Sequence, residues 1–152
     1  MADKLVVDTC VFVEGLFGEE NNSSAQLLAQ LDTLGVRLIF SQEMIGELLY
    51  ILKREGNKIG LNDEEIMDIL TDAISLFQKG KSTNTKFNRS HRVIRVIDPD
   101  DQMFIDAAFS SNATHIITLD KKSGILSLTG VPFSCYTPQT YIDSKNSIEQ
   151  SS

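Results

Sequence analysis

Four acidic side chains stand at positions where a charge is costly unless something compensates it. Asp8 ends an apolar run, and Glu47 lies inside the apolar stretch of residues 44–50. Asp101 falls at the start of a predicted helix, and Asp120 follows a predicted apolar strand. A carboxylate beside apolar chain is stable when it is paired or bound to a cation. The four acids, spread over most of the chain, therefore predict one divalent-metal site that the fold assembles.

The chemistry open to such a site is the hydrolysis of a phosphodiester. Mg²⁺ and Mn²⁺ take oxygen ligands, often one or two carboxylates with waters and substrate phosphate, and the cation can activate a water molecule. No His, Ser or Cys nucleophile is needed, which suits a chain whose only histidines are His91 and His115. We expect His91, in a basic segment, to be able to contact phosphate, and His115, at a strand start, to be structural.

Each acid also has a simpler explanation. The acids at residues 98–101 fall in the first turn of a predicted helix, where carboxylates favour the positive end of the helix dipole and cap free amides. Asp8 could be a helix N-cap, and Asp120 could form an Asx turn before two lysines. Glu47 could face solvent. The metal-site interpretation therefore depends on the four acids converging in space.

The basic residues are concentrated in one segment, residues 79–95, which contains no Asp or Glu. Its cationic residues are Lys79, Lys81, Lys86, Arg89, Arg92 and Arg95. The formal net charge of the chain is −7, so the rest of the molecule carries −13. A basic segment on an acidic body can place a phosphate backbone beside acidic metal ligands. The same composition also fits a solvated loop whose basic residues serve solubility.

The composition describes a single soluble domain. The 152 residues suffice for one hydrophobic core, and 41% apolar with 23% charged residues is ordinary for a globular protein. No run approaches the roughly 20 apolar residues of a membrane helix, and the N-terminus lacks the pattern of a signal peptide. Cys10 and Cys135 form neither a CxxC motif nor a zinc pattern, so we expect free thiols in a reducing compartment. These features predict a cytoplasmic protein.

Short apolar runs alternate with stretches of helical periodicity. The predicted strands are residues 4–8, 36–40, 92–97, 115–118 and 132–136. The predicted helices are residues 23–34, 41–54, 62–79, 98–112 and 138–142, with a short turn at 122–128. This alternation predicts a three-layer α/β/α sandwich around a parallel sheet, in a domain of residues 1–143 followed by a polar, disordered tail at 144–152. Sites of such sheets form beyond the carboxyl ends of strands, where Asp8, Asp101 and Asp120 are expected.

Four segments of the chain carry a family resemblance. They are Val6-Val7-Asp8-Thr9, Ser41-Gln42-Glu43-Met44-Ile45-Gly46-Glu47-Leu48, Asp98-Pro99-Asp100-Asp101-Gln102-Met103-Phe104 and Ile117-Thr118-Leu119-Asp120. Through their order and spacing, residues 4–143 resemble a PIN-domain ribonuclease of the kind found as the toxin of a toxin–antitoxin pair (VapC-like). One departure is Cys10, because Asn or Ser is commoner after the Asp-Thr pair.

The resemblance implies a fold and a set of roles. It implies a five-stranded parallel sheet in the order 3-2-1-4-5, with Mg²⁺ or Mn²⁺ as cofactor. The catalytic and metal-binding acids would be Asp8, Glu47, Asp101 and Asp120. Supporting roles would fall to Asp98, Thr118 and Thr9. The resemblance further implies a homodimer and an antitoxin partner, for which we expect an apolar landing groove near Leu48, Tyr50 and Ile51.

Two functions of different classes compete. The first is a metal-dependent endoribonuclease that cleaves single-stranded RNA, and the second is a non-catalytic PIN-like module that binds RNA or protein, which the departure at Cys10 permits. Two other acid-dependent α/β classes fit poorly. A haloacid-dehalogenase-like phosphatase needs Asp-x-Asp after the first strand, where this chain has Asp8-Thr9-Cys10. A response-regulator receiver needs an acidic pair near the N-terminus, where only Asp8 follows the first strand.

Overall fold

The fold is taken from a computed structural model that describes residues 2–84, 101–122 and 124–151, with side chains to residue 147. Several predictions from the sequence concern residues outside these ranges. They are the strand at 92–97, the supporting acid Asp98, His91 and the cationic residues Lys86, Arg89, Arg92 and Arg95.

The core of the molecule is a parallel sheet of five strands in the order β3-β2-β1-β4-β5. The strands are β1 (Lys4–Val7), β2 (Arg37–Phe40), β3 (Lys81–Ser82), β4 (His115–Ile117) and β5 (Ser134–Tyr136). The order 3-2-1-4-5 is confirmed. The third strand, however, is Lys81–Ser82, which lies between the predicted helix at 62–79 and the predicted strand at 92–97. Its two residues are exposed at the sheet edge and pair with β2 through their backbone, so no apolar run signals it.

Helices cover both faces of the sheet. They are α1 (Thr9–Phe17), α2 (Ser23–Ala29), α3 (Leu31–Leu34), α4 (Gln42–Lys58), α5 (Asp63–Ser75), α6 (Gln102–Ser111) and α7 (Pro138–Ser151), with a 3-10 helix at Ile125–Ser127. Alternate residues of β1 enter different cores: Leu5 and Val7 pack with the helices of one face, and Val6 packs with α6 on the other. The predicted three-layer α/β/α sandwich is therefore confirmed. Within the described ranges no helix is long and apolar enough to cross a membrane.

Two helices around the site differ from what the sequence predicted. Helix α1 begins directly after Asp8, as the N-cap explanation of Asp8 allowed, but the sequence predicted no range for it; it buries Val11 and Phe12. Helix α4 continues past Gly56 to Lys58. Gly56 is buried, and a Cβ atom there would lie 3.1 Å from Cγ1 of Ile66. This glycine therefore allows α4 and α5 to approach closely, and does not end the helix.

The C-terminal helix corrects the prediction of a disordered tail at residues 144–152. Helix α7 extends from Pro138 to Ser151, whereas the sequence predicted one turn ending at Ile142. Tyr141 is fully buried, and its hydroxyl donates a 2.7 Å hydrogen bond to Oδ2 of Asp3. One turn later, Lys145 forms an ion pair with the same carboxylate. These contacts hold the helix beyond its apolar turn against the start of β1.

Candidate metal centre

Asp8 lies at the carboxyl end of the central strand β1, where it also caps α1. The side chain is 5% exposed. Thr118 Oγ1 donates a 2.7 Å hydrogen bond to Oδ2, and the Cys10 N–H faces Oδ1 at 3.4 Å. Burial raises the pKa of Asp8 above its usual value, the charge of Asp120 adds to this, and the hydrogen bonds from Thr118 and Cys10 oppose it. A nearby cation would relieve the cost of this buried charge.

Thr118, directly after β4, connects two of the acids. Its hydroxyl is fully buried, donates to Asp8 and accepts the backbone N–H of Asp120 at 3.0 Å. The carboxylate of Asp120 accepts the N–H of Lys122 at 2.8 Å. The Asx turn suggested by the sequence therefore exists at Asp120. The turn is compatible with the effect of Asp120 on Asp8, because a carboxylate that accepts a hydrogen bond keeps its negative charge.

Glu47 faces the site from α4. Its Oε2 accepts a 2.9 Å hydrogen bond from the hydroxyl of Thr9, the first residue of α1. The residue is partly buried, so its carboxylate does not point into solvent on the far side of the helix. Thr9 and Thr118 thus orient two different acids, Glu47 and Asp8, from positions next to them.

A cavity of about 440 Å³ lies where these elements meet. Three of the four predicted acids line it, namely Asp8, Glu47 and Asp101. Asp101 precedes α6, and its Oδ2 atom is buried. Asp120 does not line the cavity but acts on Asp8 through its charge. The fold therefore brings the predicted acids to one edge of the sheet.

The other residues of the cavity were not assigned to the metal site from the sequence, although Cys10 and Ile51 were singled out for other reasons. They are Cys10, Val13, Glu14, Ile51, Arg54 and Glu55. Four cavity residues of α4, including Glu47, recur at helical spacing on one face of the helix. That periodicity could have identified Ile51, Arg54 and Glu55. Glu14 could not be found in this way, because no range was predicted for α1.

The donor chemistry of the cavity suits a hard divalent cation. Among residues 2–84, 101–122 and 124–151, no three His, Cys, Asp or Glu side chains already form a metal-binding cluster. Mg²⁺ needs no such cluster, since it is often held by one or two carboxylates and several waters. Burial, with the charge of Asp8, raises the pKa of Cys10 to about 12, so the thiol is neutral and a poor ligand. Glu14 accepts a hydrogen bond from Ser24, and Glu55 is paired with Arg54 and Lys58. The predicted acids Asp8, Glu47 and Asp101 supply the other carboxylates of the cavity and suit a hard cation.

Two of the predicted RNA-binding lysines can be placed. Lys79 and its ion-pair partner Asp32, 3.5 Å away, are both more than 80% exposed. Lys81 is exposed in β3, the edge strand. Both lysines are therefore accessible to a polyanion, and RNA binding by the segment 79–95 stays a prediction.

The predicted landing groove for a partner is wrong at one residue. Leu48 is 2% exposed and belongs to the hydrophobic core. Tyr50 is 66% exposed, and Ile51 lines the cavity of the acids. The three residues therefore face different environments, as expected for neighbours on a helix.

Comparisons with known proteins agree with this fold. The sequence profile of the PIN domain matches residues 4–122, and no curated protein sequence matches the chain. The fold resembles VapBC2 from Rickettsia felis, solved bound to a DNA fragment from their promoter: TM-score 0.58, 14% identity, covering 87% of this chain and 96% of that chain. It also resembles FitAcB from Neisseria gonorrhoeae: TM-score 0.55, 18% identity, covering 89% and 98%. Because the profile spans most of the sequence, the chain belongs to the PIN domain family.

Proposed function

We propose that this protein is an endoribonuclease that hydrolyses phosphodiester bonds of single-stranded RNA with Mg²⁺ or Mn²⁺. The observation that carries the proposal is the convergence of Asp8, Glu47 and Asp101 on one cavity. Membership of the PIN family supports a nuclease. A cavity with several carboxylates would repel RNA without a cation, so the chemistry and the binding both call for a metal.

The residues of the chain have separate roles in this proposal. Asp8, Glu47 and Asp101 would hold the cation, which when bound supplies an activated water and neutralises charge at the phosphate. Thr9 fixes Glu47 through its hydroxyl, and Thr118 fixes Asp8. Such hydrogen bonds to ligands preserve the geometry of a metal site.

The direct test is cleavage of a labelled single-stranded RNA by the purified protein with Mg²⁺ or Mn²⁺. We expect Asp8→Asn to lower the rate by about 100-fold or more, because a metal ligand is lost. Asp72→Asn is the matched control, since Asp72 is exposed on α5 and outside the cavity. Cleavage that is absent with either metal, or equal in the wild type and Asp8→Asn, would contradict the proposal.

A non-catalytic module is the alternative, which the departure from the family pattern at Cys10 permits. Calorimetric titration with Mn²⁺ separates the two functions. The nuclease proposal expects a binding isotherm for the wild type and for Asp72→Asn, and none for Asp8→Asn. A wild type that binds no Mn²⁺ and cleaves no RNA, but retains RNA in a gel-shift assay, would establish the alternative.

We further propose that the protein is the toxin of a toxin–antitoxin pair. The support is the fold shared with VapBC2 and FitAcB and the PIN family itself. A homodimer is part of this proposal. Expression of the wild type should arrest growth and expression of Asp8→Asn should not, and light scattering of purified protein should give twice the mass of the chain. Equal growth of the two strains would contradict the toxin, and a monomeric mass would contradict the homodimer.

A further inference from the structure

A basic side chain to which the proposal above gives no role lines the cavity of the acids. Arg54 is the one basic residue among the described residues lining the cavity. It lies two turns after Glu47 on the same face of α4. A positive side chain at the mouth of a carboxylate cavity is suited to the phosphate of a substrate that must approach those carboxylates.

The present partner of Arg54 is one that a phosphate could replace. Its Nη2 and Nε atoms lie 3.3 and 3.4 Å from Oε1 of Glu55. Lys58 Nζ lies 3.3 Å from the same oxygen, so Glu55 keeps a cationic partner when Arg54 turns away. The Arg54 side chain is 47% exposed. An exposed pair between sequence neighbours contributes little stability, whereas a guanidinium binds phosphate with two parallel hydrogen bonds.

An exposed aromatic ring adjoins this guanidinium. Tyr50 precedes Arg54 by one helical turn, and the Arg54 Cζ atom lies 6.0 Å from the centre of the ring. The ring is among the most exposed large apolar side chains of the described residues, at 66%. Single-stranded RNA is bound by aromatic rings that stack on bases beside cations that contact the backbone.

We infer that Tyr50 and Arg54 form a nucleotide subsite at the mouth of the cavity. Arg54 contacts a phosphate next to the one cleaved, and Tyr50 stacks on the adjoining base. The inference rests on the proposed ribonuclease function and names the residues that position its substrate. Both residues of the subsite lie on α4 and are not among the residues of the basic segment at 79–95.

The test measures binding of a fluorescein-labelled single-stranded RNA of mixed sequence by anisotropy in the otherwise wild-type protein. Ca²⁺ replaces Mg²⁺, so that the carboxylates still hold a hard cation, and a denaturing gel checks that the RNA stays intact. Arg54→Gln is expected to weaken binding about 10-fold and to reduce the slope of log K against log salt by roughly 0.7, the value for one phosphate contact on a single strand. Tyr50→Ala is expected to weaken binding about 10-fold without changing the slope, because stacking releases no counterion. Tyr50→Phe should recover most of that loss.

Lys53→Gln is the matched control, because Lys53 is exposed on the same helix but does not line the cavity. Its affinity should stay close to that of the parent protein. An equal loss for Arg54→Gln and Lys53→Gln would overturn the inference, since it would show only an effect of total charge. Equal affinity of Tyr50→Ala and the parent would also overturn it. Circular dichroism of each variant verifies that the fold is retained.

The outcome is independent of whether the protein cleaves RNA. Kinetics in the otherwise wild-type protein should show a raised KM for Arg54→Gln with a smaller change in kcat. If the wild type cleaves RNA and the variants bind normally, the subsite is wrong and the ribonuclease stands. If the variants lose binding as expected and the wild type never cleaves, the subsite stands and catalysis is wrong.

Discussion

At the scale of single residues, the site contains a buried carboxylate, which is an unfavourable position for a negative charge. Asp8 is buried at the end of the central strand, and its pKa is raised above 3.8 chiefly by burial. Two hydrogen bonds reduce that cost without removing it. Asp8 caps α1, and its buried charge also fits the ligand role proposed above.

Asp8→Asn should stabilise the metal-free protein by roughly 0.5–2 kcal/mol at neutral pH, as is common when a functional charge is removed. A carboxyl whose pKa is raised by folding stabilises the folded state below its unfolded pKa of about 3.8 and loses that contribution as pH rises through the folded pKa. The advantage of Asn should therefore grow with pH across this window. Urea unfolding in EDTA measures it, and a variant less stable than the wild type at neutral pH would contradict it.

Thr9→Val tests whether the contact to Glu47 serves the metal. The hydroxyl donates a 2.9 Å hydrogen bond to Oε2 of Glu47, and Val keeps the shape without the donor. Loss of a hydrogen bond to a ligand lowers metal affinity or activity by about 10- to 100-fold. Mn²⁺ calorimetry and RNA cleavage measure the loss.

The control for this change is Thr71→Val. Thr71 is exposed on α5, and its hydroxyl donates to the backbone carbonyl of Met67. We expect it to leave metal affinity unchanged. A Thr9→Val protein with wild-type Mn²⁺ affinity and cleavage rate would show that Glu47 needs no support from Thr9.

At the scale of elements, α1 and α4 position the site by packing against different partners. Gly15 of α1 faces α2, and a Cβ atom there would lie 2.7 Å from Cδ1 of Leu28. Gly46 of α4 is exposed, and a Cβ atom there would project into open space. Gly15 thus allows close packing of α1 on α2, whereas Gly46 permits no such contact and only lowers the helix propensity of α4.

The same substitution should therefore have opposite effects at these two glycines. Gly15→Ala should destabilise the protein by about 1–3 kcal/mol, because the buried Leu28 side chain must move away from the added Cβ atom. Gly46→Ala should stabilise it by up to about 1 kcal/mol through helix propensity. Urea denaturation of both variants checks the signs, and an equal shift for the two would contradict the packing of α1 on α2.

At the scale of the whole molecule, Asp3 joins the first strand to the last helix. Its carboxylate accepts the hydroxyl of Tyr141 and pairs with Lys145, 138 and 142 residues later in the chain. His115 begins the neighbouring strand β4, and its Nδ1 atom lies 3.8 Å from Oδ2 of Asp3. Partial burial acts to raise the pKa of Asp3, but the hydrogen bonds from Lys145 and Tyr141 and the nearby positive charges lower it below 3.8.

Asp3→Asn should cost about 1–2 kcal/mol at neutral pH, the scale of a charge-assisted hydrogen bond. A carboxyl with a lowered pKa stabilises the fold above its unfolded pKa and loses that contribution as pH falls through the folded pKa. The difference from the wild type should therefore shrink below pH 3.8. Unfolding midpoints at neutral and acid pH measure this, with Asp72→Asn as control. A pH-independent difference would contradict the ion pair.

The sequence by itself determined the sheet order, through the family resemblance, and the helical cover on both faces of the sheet. It also predicted a helix end at residue 34, where Gly35 has a φ of 68°, and a helix start at residue 62, where Asn62 and Glu65 form a capping box. These features depend on local rules: apolar periodicity, backbone preference and caps lie within a few neighbouring residues. The four segments that carry the family resemblance likewise identified the acids, because they are recognised by residue type and spacing.

The tertiary structure alone decided what those residues contact. Strand β3 forms through its backbone pairing with β2. Helix α7 extends beyond Ile142, where Lys145 forms an ion pair with Asp3. The tertiary structure also decided that Arg54 shares a cavity with Asp8, although three helices and a strand separate the start of α4 from Asp8 in the chain. Contacts of this kind form between residues distant in sequence, so no local pattern records them.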